Sequence, residues 1–344
     1  MSERDGRILW VDICKGLGII CVVLGHAMDG TALQRFIYTF HMPLFFFLSG
    51  FLHRAQPSYG VYAKRKAIHL LLPYVAFMLL LCPLAYISAL HHPEKWGALT
   101  KTFLWGGGQM EGRYGVLWFF TCLYITQQIA NYLLVRFRQG VMIMAGLVSL
   151  AGAYLVAWLA PHFTLPFNAH VVLGALPLLL AGYLYRKSRR QHVFELLAMP
   201  GFLLTIWLVR LRVPVSYDMK SGNYGVPGLS LVLALSCILA VIALSRFITR
   251  TAAGTALFAS IGASSMGIMV IHKVVLSTGP VSRLMAKSGW AAFLVALLAS
   301  WILTLLLARF SFTRAFLLGS ERDFQRICTP SAFLPRPVSK ADAA

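Results

Sequence analysis

At 344 residues, 58% of them hydrophobic and only 12% charged, with a mean hydropathy of +0.72, the chain is too apolar for a water-soluble protein. Soluble domains carry about 25% charged residues. The net charge of +20 could suit a nucleic-acid binder, but its basic residues fall in short groups between apolar runs, so no nucleic-acid partner is expected.

A helix needs about 20 mostly apolar residues to cross a hydrocarbon core of roughly 30 Å. In chain order such windows fall near residues 8–28, 36–53, 68–90, 115–135, 140–160, 169–186, 193–211, 228–247, 255–277 and 289–310. The expected fold is an all-α integral membrane protein, a bundle of about ten transmembrane helices, with the fourth and seventh windows the least apolar. With the N-terminus inside, the inner segments hold 20 Lys and Arg and the outer loops nine, while Lys15 and Lys273 lie within spans. Positive residues collect on the cytoplasmic side. Both termini are therefore expected to be cytoplasmic, in a multi-pass protein of the cytoplasmic (inner) membrane. Residues 1–310 read as one polytopic domain, and residues 311–344 as a short, flexible cytoplasmic tail. The two-half symmetry of many transporters is not visible.

The first span is expected to remain in the mature protein, because Asp12 and Lys15 interrupt its apolar core and no small-x-small site follows. Charges within a bilayer cost a few kcal/mol and usually face a cavity or a partner. At about 100° per residue, Lys15 to His26 is about 1100°, which leaves about 20° after three turns. Asp12 returns to within about 40° of His26, so all three share one face, with Lys15 and His26 roughly 16 Å apart along the axis. An Asp12–Lys15 ion pair that merely lets the helix insert is the plainer reading; a polar pathway is the other.

The second span opens at Phe40-His-Met-Pro-Leu-Phe-Phe-Phe-Leu-Ser-Gly50. Proline is tolerated in a helix's first turn, so Pro43 predicts a helix starting close to His41. That puts His41 level with His26 across a short loop, a candidate acid–base pair; Ser49-Gly50 reads as close helix packing. Of six cysteines, Cys14, Cys21, Cys82, Cys122 and Cys237 fall in spans and Cys328 in the tail, without metal-ligand spacing. His91-His-Pro-Glu94 resembles a metal cluster only superficially, and no metal is expected. Trp105-Gly-Gly-Gly-Gln109 lacks the Gly-Lys-Ser/Thr ending of a phosphate loop. Tyr217-Asp-Met-Lys-Ser-Gly-Asn-Tyr224 mixes aromatic and polar groups suited to sugar, as many loops do.

Asp12-x-x-Lys15-Gly16 and His26, followed by Phe40-His-Met-Pro-x-Phe-Phe-x-x-Ser-Gly50, resemble the membrane-bound acyltransferase family 3. More narrowly, they are similar to its fucose 4-O-acetylase-like and exopolysaccharide O-acetyltransferase branch. Weaker echoes continue in Arg65-Lys66 leading to Pro73, in Leu117-Trp118-Phe119-Phe120, and in Ser265-x-x-Ile268-x-x-x-His272. The resemblance implies about ten spans and transfer of an acyl group, most simply acetyl, from cytoplasmic acetyl-CoA to an extracytoplasmic glycan. The acceptor would be an exopolysaccharide or its lipid-linked repeat unit, with other polysaccharide-assembly proteins as partners. Members commonly carry arginine where Lys15 stands here; lysine keeps the charge and loses the planar fork.

A sugar hydroxyl is a weak nucleophile and needs a general base of near-neutral pKa, a role histidine fills. His26 is the expected base or transient acyl acceptor, with His41 orienting it or supplying the proton. Lys15 would stabilise the thioester oxyanion or a CoA polar group, and Asp12 would position Lys15. Lys64, Arg65 and Lys66 are candidates for the CoA phosphates, and Trp118 and His272 for the glycan, although clustered cations and interfacial tryptophan also arise from topology alone. A transporter of a small solute or glycan precursor is the alternative, expected to show interrupted helices and repeats. A partner-binding subunit would tolerate loss of Lys15 or His26.

Overall fold

The computed structural model describes residues 3–4 and 7–328, and each of the ten apolar windows lies on a helix or on consecutive helices. In chain order these are α1 (Leu9–Ala27), α2 (Ala32–Phe51), α3 (Tyr59–Lys66), α4 (Leu72–Ser88), α5 (Trp96–Trp105), α6 (Trp118–Arg136), α7 (Gln139–Leu159) and α8 (Val172–Lys187). Then come α9 (Gln191–Leu197), α10 (Met199–Arg210), α11 (Leu229–Ile248), α12 (Ala252–Ala263), α13 (Ser265–Leu276), α14 (Gly279–Lys287), α15 (Gly289–Leu307), α16 (Ser311–Phe316) and α17 (Glu321–Cys328). Two-residue strands, Glu3–Arg4 and Arg7–Ile8, pair antiparallel ahead of α1.

Seven helical runs are long and apolar enough to cross a membrane. They are α1, the continuous α3–α4 run Tyr59–Ser88, α7, the run Pro166–Lys187 that includes α8, the α9–α10 run, α11 and α15. The pair α12 and α13, bent by 73°, makes an eighth if it crosses as one. At 20 and 19 residues α2 and α6 are long enough, but they are more polar and fall outside that set. Leu79, Trp158 and Leu203 stand exposed on the outside of the bundle, as lipid-facing side chains do. The chain is a multi-pass helical membrane protein.

α1 is the central helix and packs on α2, α11, α12, α13 and α15. Its approach to α12 depends on two glycines: a Cβ at Gly262 would overlap the carbonyl of Asp12, and one at Gly16 the carbonyl of Phe258. Small residues let backbones approach closely where apolar side chains gain nothing over lipid. Gly50 of α2 and Gly182 of α8 make the same kind of contact, each against a carbonyl of the other helix, as expected for Gly50.

Two expectations need correction. α2 starts at Ala32, capped by Thr31, whose side chain accepts from the Gln34 N–H, so Pro43 sits inside the helix and His41 more than two turns from its start. Proline is accepted within membrane helices because neighbouring groups satisfy the freed backbone. The tail is helical where it is described: Arg314 of α16 grips Asp323 of α17 through Nε and Nη2 at 2.8 and 2.9 Å, and the Gly319 carbonyl meets His69 Nδ1 at 3.2 Å. Expected residues 329–344 lie outside the described part.

Candidate active site

Hydrogen bonds from the Tyr217 N–H to the Tyr38 carbonyl, from Lys220 to the Met110 carbonyl and from the Gly108 N–H to Asn168 gather the start of α2 and the segments before α6, α8 and α11 at one end, the His26 end. The last turn of α1 holds His26, whose Nδ1 lies 3.2 Å from the Tyr38 hydroxyl of α2. The His26 ring stacks on His272 of α13, with centroids 5.4 Å apart and planes at 27°. Tyr38 in turn lies against the His41 ring at 4.7 Å. His26 is half-buried, His41 is 6% exposed and His272 is fully buried.

His41 and His272 are fixed alike. Each directs Nδ1 at the carbonyl one turn back, His41 to Ile37 at 2.9 Å and His272 to Ile268 at 2.7 Å. A carbonyl only accepts, so Nδ1 carries the proton and a neutral ring keeps its Nε2 lone pair free. The Nε2 of His272 is buried with no hydrogen-bond partner. His26 and His41 thus meet through Tyr38, and the residue directly on His26 is His272, which the sequence placed only as a contact for the glycan.

Asp12 and Lys15, at the other end of α1, form an ion pair at 3.3 Å and line a cavity of about 800 Å³. The charged residues on its wall are Asp12 and five cations: Lys15, Arg54, Lys66, Arg186 and Arg314. Phe45, Phe119, Leu123 and Met269 form apolar wall, and Ser49, which accepts from Gln127 Nε2 at 2.6 Å, adds a polar patch. His41 and Phe45 are one helical turn apart, as are Met269 and His272, so the cavity reaches to one turn below the histidines. Beside it the Arg186 guanidinium donates to the His53 carbonyl at 3.2 Å. Burial, helped by the charge of Lys66, pushes the His53 imidazole down to about 4.

The stripe of α1 between the two sites is closed. Ile19 and Val22, which share the face of Lys15 and His26, are 0% and 1% exposed in the main hydrophobic core. Of the three cations expected to grip CoA phosphates, Lys66 lines the cavity, while Lys64 and Arg65 are exposed and outside its wall. Trp118 is buried in the core and lines neither this cavity nor the smaller one described below; its neighbours Phe119 and Phe120 face the larger one instead. Arg186 and Arg314 are among the basic residues that topology alone explains, and the signal for Tyr38 is its spacing, three residues before His41 on the same helix face. Among the described residues no group of three or more His, Cys, Asp and Glu is placed to hold a metal. The His92–Glu94 contact is an exposed pair, and the six cysteines are free.

Stacked histidines thus stand at one end of a membrane helix, and a cationic cavity with an apolar wall lies at the other. Residues 8–316 match acyltransferase family 3, described as an acyltransferase domain. The chain belongs to that family. It is 30% identical over 196 residues to the nodulation protein NolL of Mesorhizobium japonicum, covering 52% of this chain and 50% of that protein. It is 24% identical over 226 residues to the nodulation protein NolL of Sinorhizobium fredii, covering 60% and 57%. The chain thus matches only about half the length of these curated relatives. No solved structure matches.

Proposed function

We propose that the chain moves an acetyl group from cytoplasmic acetyl-CoA to a hydroxyl of an extracytoplasmic glycan, either an exopolysaccharide or its lipid-linked repeat unit. The reading rests on one observation: a single helix carries Lys15 into the cationic cavity and His26 into the histidine pair. The excess of basic residues on the Leu9 side supports a cytoplasmic cavity, where CoA is, in a protein of the inner membrane. There Arg54, Lys66, Arg186 and Arg314 suit a phosphorylated head, and Phe45, Phe119 and Met269 suit the arm leading to the thioester. Guanidinium groups are matched to phosphate by their planar forks.

His26 is the base. In the tautomer whose Nδ1–H donates to the Tyr38 oxygen, its Nε2 lone pair is free to take the proton of the attacking sugar hydroxyl. His272, with its unpartnered Nε2, is placed to pass that proton on or to hold the reacting group. Lys15, paired with Asp12, contributes to donor binding at the far end. Polysaccharide-assembly proteins are the expected partners.

Replacing His26 by Ala in cells should remove acetyl from the surface glycan, read by mass spectrometry, while the protein still inserts. A positioned base contributes about 10²–10⁴ in rate, so residual acetylation should be near background; normal acetylation would end the proposal. The break between α12 and α13 is also a feature of transporters. Solute flux in vesicles without acyl-CoA consumption would favour that second reading.

A further inference from the structure

A second cavity, of about 490 Å³, opens at the His26 end, away from the donor cavity. Its wall includes Gln109, Asn168, Lys220, Ser221, Asn223 and Tyr224. Asn168 is 1% exposed and sits in the left-handed region at φ 57°, beside Phe167 at φ 60°. Such backbone costs of order 1–3 kcal/mol and persists only where its surroundings enforce it. Here the Phe167 carbonyl accepts from Thr121, and Asn168 Oδ1 accepts from the Gly108 N–H. The other half of that amide, Nδ2, is buried without any partner. A buried donor left unmade costs about 1–3 kcal/mol, so Asn168, locked in place on this wall with an N–H unmet, marks the wall for an acceptor.

The same loop ties this cavity to the histidines. The Tyr217 N–H donates to the Tyr38 carbonyl at 3.2 Å, and Tyr38 carries the hydroxyl that meets His26. Three residues on, Lys220 donates to the Met110 carbonyl at 2.9 Å and has further N–H donors to spare. Its charge is offset by nearby Asp218 and Glu111, while burial pushes its pKa down. Donors and acceptors mixed around an aromatic ring, at little net charge, fit a polyhydroxylated ligand better than a phosphate.

We propose that this cavity is an acceptor subsite, holding an uncharged sugar unit of the glycan next to the one acylated at His26. The inference rests on the acyltransferase reading, but its test separates the two. The full chain, in nanodiscs and carrying Thr164→Cys at the cavity wall, is labelled with a maleimide, and the label on residue 164 is read by peptide mass spectrometry apart from that on the six native cysteines. The probe is surface glycan extracted from cells lacking the protein, used intact or after periodate cleavage of its sugars; glycerol phosphate serves as the lipid-headgroup mimic. Acetyl transfer from radiolabelled acetyl-CoA is followed in parallel.

Intact glycan should slow labelling, and oxidised glycan and glycerol phosphate should not. Asn168→Asp keeps the oxygen that holds Gly108 and loses the free donor. It should raise the half-protecting glycan concentration about tenfold, the value of one buried hydrogen bond. If Asn168→Asp fails to fold, Lys220→Met is expected to raise it in the same direction. Transfer to the glycan with labelling unprotected would overturn the subsite and leave the enzyme reading standing. Protection without transfer would do the reverse. Protection by glycerol phosphate would reassign the cavity to a lipid headgroup and overturn the proposal.

Discussion

Tyr38 earns its place from helix geometry: residues three apart share a face, so the turn of α2 that carries His41 also carries the hydroxyl that meets His26. Tyr38→Phe removes that hydroxyl and frees the His26 ring to choose its tautomer. We expect kcat to fall about tenfold to a hundredfold with little change in donor KM, read by acetyl transfer in vesicles; the range is below that for removing a base outright. His53 makes a different prediction. Its folded pKa, about 4, is below the ordinary histidine value of 6.5, so the unfolded chain binds more protons between those limits. Stability from this group is therefore complete above about pH 6.5 and is lost as pH falls toward 4. Thermal unfolding of detergent-solubilised protein should shift down between pH 7 and pH 5, and His53→Gln should flatten that shift. An unchanged slope in the variant would assign the pH dependence elsewhere.

Between helices, packing turns on glycine. Gly262→Leu must push a side chain into the backbone of α1 at Asp12. Overpacking of this kind costs about 1–3 kcal/mol or more, and displacing α1 would also move Lys15 out of the donor cavity. The expected result is a lower melting temperature together with a raised donor KM; a change in neither would show that the α1–α12 contact is looser than described. The helices themselves were legible in the sequence because apolar runs of membrane length have few alternatives. The start of α2 was not, since Pro43 looks like a first-turn residue until Thr31 is seen capping the helix above it. Asp12, Lys15 and His26 were legible as a face from angular spacing alone. His272 and Arg314 were not legible as their neighbours, because nothing local tells which distant helix end folds against α1. Asn168 was equally silent: its role depends on a backbone conformation that only Thr121 and Gly108 enforce.

The whole molecule is polarised, with five cations around one cavity and, around the other, uncharged hydrogen-bonding groups with the single cation Lys220. Arg186→Ala and Arg314→Ala should each raise the KM for acetyl-CoA about tenfold, the scale of one charge-assisted hydrogen bond, with kcat at saturating donor much less affected. Equal KM values for wild type and both variants would remove these arginines from donor binding. α16 and α17 are locked together beside that cavity, where Asp323 takes Arg314 Nε and Nη2 and the Ala308 carbonyl takes Nη1. Ile19 and Val22 fill the stripe of α1 between the Lys15 cavity and His26. A hydrated ion would have to shed its shell to pass them, which makes that segment an electrical insulator. The proposed acyl transfer would thus proceed without a water-filled path for protons along α1.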